Sequence, residues 1–236
     1  MSALFLSRAE LKPNAAVDVL AQVLLPGEGG ARAYAAHRLV WSLFAGDADA
    51  RRDFLFRVDS PDPRRAARAR LFVLSRSPPR SDNPLLDVET KTFAPDLRVG
   101  DRLSFALRAN ATRTWRTPEG ETKRADVVMH ALRLEPKDAR GAARPKAIVD
   151  AGRAWLEKEA AKAGFRVVSR DGEPALAIDG YEQWRFPGLG AKGRISTLDF
   201  QGEIEVVDPE LFLRCLSQGF GRAKAFGCGL MLIRRG

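Results

Sequence analysis

Hydrophobic positions recur along the chain with two periods, one near two residues and one near 3.6, and the switches between them mark out the elements. In the opening run, Leu4, Leu6 and Ala9 suit the buried side of a short strand that stops before Pro13. Residues 31–44 contain no Gly or Pro, and Ala36, Leu39, Val40, Leu43 and Phe44 recur at helical spacing until Gly46 and Asp47, which predicts a helix. Residues 54–58 and 69–74 read as strands joined by a Pro- and Arg-rich loop. Residues 83–90 suit a short helix and residues 103–108 a closing strand, giving the order βαββαβ.

The second half repeats that order. Residues 126–134 read as a strand. A patterned helix follows over 147–163, with Ile148, Trp155 and Leu156 inward and Asp150, Arg153, Glu157 and Lys158 outward, stopped by Gly164. Strands follow over 165–168, 175–186 and 195–207, then a short helix from Pro209 to Ser217 capped by Asp208, then a last strand over 229–233. The pattern predicts an α+β chain of two tandem sandwiches. Periodicity fades in the polar stretch 110–124, so the domains are expected at 1–112 and 113–236.

With 236 residues and a 45% hydrophobic share, the chain can build ordinary cores. No apolar stretch reaches the ~20 residues needed to cross a bilayer, and the first eight residues lack a basic leader, so a soluble cytoplasmic protein with no membrane partner is expected. Two Cys and two His exclude a disulfide framework or a Cys-rich zinc scaffold, and no metal site is expected.

Charge is the first positive indication. Lys and Arg number 39 against 30 Asp and Glu, a net +9, and 30 of those cations are Arg, whose planar fork grips phosphate in a bidentate fashion. An anionic partner is favoured; a GC-rich genome, which inflates Arg codons, is the plainer explanation.

Candidate residues can be weighed on that background. Wound into a helix, Tyr34, His37 and Trp41 line one edge of the apolar stripe with Arg38 beside Tyr34, so a phenol and an imidazole could meet the same phosphodiester. The alternative is that the three rings merely cap the core. His130, placed in the strand expected over 126–134, reads as structural.

Gly188-Leu189-Gly190-Ala191-Lys192-Gly193 matches the dinucleotide fingerprint letter for letter, but Pro187 precedes it and a strand follows it where the fingerprint needs a helix, so no nucleotide cofactor is expected. A hairpin tip fits better. Arg185, Lys192 and Arg194 could lie against a nucleic-acid backbone there, or simply be solvated.

The stretch from Gly219 to Gly229 lacks the order of a phosphate-binding P-loop. Its glycines, Gly219 and Gly221 first among them, allow a polyanion close to the backbone, with Arg222 and Lys224 as cations and Phe220 and Phe226 as stacking faces. A plain helix-to-strand turn with both Phe in the core is the alternative.

This ending, with the run His37-Arg38-Leu39-Val40-Trp41-Ser42-Leu43-Phe44 and the opening Leu4 to Leu11, resembles the CasE (Cse3) family of CRISPR repeat endoribonucleases in the RAMP superfamily. The resemblance implies two tandem ferredoxin-like (βαββαβ, RRM-like) domains, with the catalytic helix in the first and the glycine-rich loop in the second. It also implies cleavage of precursor CRISPR RNA at the base of the repeat hairpin, without metal or cofactor, and retention of the mature crRNA with the other Cascade subunits. Tyr34 and His37 match the family's active site, and the segment around Lys192 and Arg194 its basic hairpin. Some relatives carry a Lys where this chain has Ser42, which leaves Arg38 as a candidate cation.

The chemistry is self-consistent. RNA brings its own nucleophile in the 2′-hydroxyl, so a protein can cleave it by aligning that oxygen with phosphorus and moving two protons, one of them through an imidazole. A non-catalytic RNA-binding subunit, in which Tyr34 and His37 only stack or hydrogen-bond, is the competing expectation.

Overall fold

The computed structural model describes residues 3–13, 29–44, 52–59, 70–186 and 193–235. It separates into two compact units, Met1–Asp96 with Trp184–Arg194 and Ala223–Leu230, and Leu97–Gln183 with Ile195–Arg222 and Met231–Gly236.

The first unit comprises β1 (Phe5–Leu11), α1 (Gly29–Ser42), β2 (Phe54–Asp59), β3 (Arg70–Ser75) and β4 (Leu86–Thr92). Its antiparallel sheet runs β2-β3-β1-β4, so the first strand lies between the third and the fourth, as in a ferredoxin-like fold. Phe54, Phe56 and Val58 of β2 join Leu71, Val73, Ala9 and Leu86 in a core closed by Ala36, Leu39, Val40 and Leu43 on and just past α1.

The sequence reading needs two corrections here. Ala9 shares its side of β1 with buried Ser7, while Leu4 and Leu6 are out of phase with it and only half buried. Residues 86–92 form a strand in place of the expected short helix. The Asn83 side-chain oxygen accepts from the Leu85 and Leu86 amides at 2.9 and 3.0 Å, turning the chain into a ladder with β1.

The second unit follows β5 (Arg102–Ala109) with a ribbon of β6 (Thr112–Arg116) and β7 (Thr122–Asp126), then α2 (Val127–Leu132) and α3 (Arg140–Ala163). The short β8 (Phe165–Val167), β9 (Ser169–Arg170) and β10 (Glu173–Pro174) lead to the long β11 (Leu176–Arg185) and β12 (Arg194–Val206), whose tip, Trp184–Arg194, belongs to the first unit. Helix α4 (Pro209–Gln218) and β13 (Met231–Arg235) complete it, and the sheet order β11-β12-β5-β13 is again ferredoxin-like.

The strand over 103–108, expected to close the first sandwich, is central to this second sheet, paired with both β12 and β13. The strand expected over 126–134 is instead helical. Asp126 caps α2 by accepting from the Met129 amide at 2.7 Å, a local bond that overrides the strand preference of Val127 and Val128. Among the described residues no helix is long and apolar enough to cross a membrane.

Candidate active site on the first helix

Helix α1 buries Gly30, Ala33, Ala36, Leu39 and Val40 at three- and four-residue spacing. Its start is set by close approach: a Cβ at Gly30 would overlap the Arg185 carbonyl oxygen. Its end is tied by Ser42, whose hydroxyl donates to the Leu39 carbonyl at 2.7 Å and accepts from the Asn83 amide at 2.9 Å. Ser42 is therefore engaged in ending the helix.

His37 lies half-buried on the flank of this helix. Its ring is parallel to Phe56 with centroids 6.1 Å apart and meets Phe54 at 6.2 Å. The Trp41 indole N–H, one turn on, donates to His37 Nε2 at 3.0 Å. Burial, and after it the positive charge of Arg52, pushes the imidazole below the usual histidine range, so the ring is held neutral. Tyr34 is 55% exposed and Arg38 is exposed, so phenol and guanidinium face solvent beside the imidazole.

The end of the glycine-rich stretch packs in the same unit. Residues Lys224–Phe226 form a 3-10 turn against α1 and β2, and a Cβ on Gly227 (φ +79°) would lie 3.2 Å from the Phe56 ring, so His37 and Gly227 border the same phenyl group. Phe226 packs on Phe186 at 4.3 Å. At the β11–β12 tip, Trp184 and Phe186 are buried, Arg185 and Arg194 are exposed, and the Phe186 amide donates to the Gly193 carbonyl at 2.9 Å.

Of the expected site residues, the first unit thus contains Tyr34, His37, Arg38, Arg185, Arg194 and Lys224. Lys192 lies outside the described residues.

Gly219, Gly221 and Arg222 belong to the second unit. Gly219 (φ +77°) caps α4 by donating to the Cys215 carbonyl at 2.8 Å. Arg222 bridges through its backbone to Asn110, whose side chain donates to the Ser196 carbonyl at 2.7 Å, and its own side chain is exposed.

The stacking face expected of Phe220 is not available. Phe220 is 3% exposed and meets Phe165 edge-on at 5.9 Å, while Phe226 is half-buried with one side against Phe186. Gly193 runs into a strand, which removes the structural context of a dinucleotide fingerprint. His130 sits on α2 against Trp115 at 4.8 Å, in a packing role on a helix rather than a strand.

Two residues with a bearing on the imidazole were not singled out by sequence as functional. Trp41 was read only as an edge ring, although its position four residues after His37 carries the signal for a hydrogen bond. Arg52 left a fainter trace: it precedes Phe54 and Phe56 in the alternation of β2, and both rings pack on His37. Among the described residues, no His, Cys, Asp and Glu side chains cluster as a metal site.

Two ferredoxin-like sheets in one chain, the second leading into a glycine-rich turn, are the architecture that the resemblance to RAMP proteins implies. A family model described as CRISPR associated protein matches residues 4–235, and the chain belongs to that family, among its CasE (Cse3) members.

It is 30% identical to the CRISPR system Cascade subunit CasE of Escherichia coli strain K12, over 91% of this chain and 98% of that protein. It is 32% identical to the CRISPR-associated endoribonuclease Cse3 of Thermus thermophilus over 61% of this chain and 60% of that protein. The fold matches that of Thermus thermophilus Cse3 bound to an RNA representing a pre-cleavage complex, with a TM-score of 0.68 at 24% identity, covering 98% and 99% of the two chains.

Proposed function

We propose that this protein is an endoribonuclease that cleaves precursor CRISPR RNA at the base of the repeat stem-loop and stays with the mature crRNA as a Cascade subunit. The observation that carries the reading is the His37 imidazole, held neutral on a helix free of acidic residues and flanked by the exposed Tyr34 and Arg38. A neutral imidazole near physiological pH is a competent base. The relatives support it: one is named an endoribonuclease and was solved with RNA, and another is named a Cascade subunit.

The 2′-hydroxyl loses its proton to His37 as O2′ bonds to phosphorus, and the P–O5′ bond breaks as O5′ takes a proton from the Tyr34 hydroxyl or from water. The ends formed are a 2′,3′-cyclic phosphate and a 5′-hydroxyl. Tyr34 orients or protonates within this set, and Arg38 and Arg52 supply positive charge for the phosphorane. Arg185, Lys192, Arg194, Arg222 and Lys224, with the Gly219 and Gly221 backbone, hold the RNA through its phosphates.

The test is incubation with a repeat hairpin in excess EDTA. Site-specific cleavage is expected, with His37→Ala slowing it by about 10²–10⁴-fold while RNA affinity is retained. Cleavage that survives a 2′-deoxy substitution at the cut site overturns the 2′-hydroxyl mechanism. Tight binding with intact RNA under all conditions makes the protein a non-catalytic subunit.

A further inference from the structure

The hydrogen bond between Trp41 and His37 bears on which nitrogen reacts. An indole N–H only donates, so the Nε2 atom it meets at 3.0 Å must carry a lone pair, and the proton of the neutral ring must sit on Nδ1. Neither ring depends on that bond for its place. Trp41 stands edge-on to Phe54 at 5.2 Å, and His37 is held by Phe54 and Phe56.

We propose that Trp41 is a positioning residue that fixes the tautomer of His37, keeping the proton on Nδ1 and the basic lone pair on Nε2, the nitrogen that takes the 2′-hydroxyl proton. This rests on the cleavage reading above. The indole N–H and the ribose O–H are donors for the same lone pair, so bound RNA exchanges one for the other and the resting enzyme keeps the acceptor dry and aimed. The exchange also disfavours premature protonation, because an imidazolium has no lone pair to offer Trp41.

Among the described residues, the charged and titratable groups on the elements packed around the imidazole include Tyr34 and Arg38 on α1, Arg52 ahead of β2, and Lys224 on the 3-10 turn packed against α1; the residues of the core it borders are apolar. Arg52 acts in the same direction as Trp41, but it cannot select a tautomer.

The experiment begins without RNA. The chain has only two histidines, so ¹⁵N spectra of the full-length protein can be assigned with His130→Gln. His37 is expected as the Nδ1–H tautomer, titrating below the usual histidine range. In Trp41→Phe the ring packing is kept, the tautomer shifts toward Nε2–H and the titration moves up. Arg52→Gln also moves the titration up but leaves the tautomer in place.

In single-turnover cleavage, the acid limb of the pH–rate profile moves up in Trp41→Phe in step with the titration, with RNA affinity unchanged. An Nε2–H tautomer in the wild type, or a limb that stays put in Trp41→Phe, overturns the proposal. The wild-type spectrum decides even where the variant does not fold. A wild type that never cleaves RNA sinks the nuclease reading and leaves the tautomer result standing on its own.

Discussion

Helices α1 and α3 hold equivalent places, each following the first strand of its ferredoxin-like sheet, and they differ in how they pair their cations. On α3, Lys146 pairs with Asp150 and Lys162 with Glu159, and Gly164 closes the helix in the left-handed region at φ +72°. The sheet beside it is similarly neutralised: Arg108–Asp199, Arg166–Glu205, Arg170–Glu203 and Arg235–Asp101 are ion pairs.

Helix α1 has no Asp or Glu at all, and neither Arg38 nor Arg52 has a carboxylate partner among the described residues. Helix α3 pairs two of its cations with its own carboxylates, although its cations outnumber its carboxylates. Helix α1 has no carboxylate of its own to offer, and Arg38 stays exposed beside the half-buried imidazole.

The largest test of that contrast is on stability. Leu156→Ala, fully buried on α3, is expected to cost about 2–5 kcal/mol in urea unfolding. Tyr34→Phe, on the exposed side of α1, should stay within about 0.5 kcal/mol and yet slow cleavage. A Tyr34→Phe protein that cleaves at the wild-type rate removes the phenol from the site.

Next comes RNA affinity. Arg38→Gln and Arg52→Gln should each lower the slope of log Kd against log salt by about one, because each cation releases one counterion, while Lys146→Gln should leave it unchanged. Equal slopes for all three would erase the distinction between the helices.

A smaller effect is expected with pH. The His37 pKa is depressed in the fold, so the unfolded chain takes up the proton first. The stability due to the neutral ring is full above the ordinary value of 6.5 and is lost as pH falls through the lowered folded value. Tm measured across that window should therefore fall less steeply in His37→Phe than in the wild type. The smallest change is on α3, where Lys146→Ala should cost no more than about 0.5 kcal/mol at low salt.

What could be read from the sequence was what local chemistry decides. The Asp208–Pro209 start of α4, the Gly164 stop and the apolar stripe of α1 lie where the residues put them. The misreadings fall where a distant partner or one local bond decides. Residues 103–108 were legible as a strand, but membership of the second sheet depends on β12 and β13, far along the chain. Residues 86–92 took their conformation from β1, and 127–132 from the single carboxylate of Asp126.

At the site, Tyr34, His37 and Arg38 were legible because one helix carries them. Arg52 was not, because its charge acts on the imidazole from the segment ahead of β2, outside the helix. The glycine-rich stretch was noticed for its bare backbone, while its Phe220 ring went to the interior, as large apolar side chains do, and Phe226 stayed half-buried against Phe186.

The first unit is assembled from three separate stretches of chain, the last of them ending at Leu230. A ribosome making this protein releases α1 well before the Trp184, Phe186 and Phe226 rings of the same unit. A nascent or truncated polypeptide that stops short of them therefore has α1 without its complete hydrophobic surround.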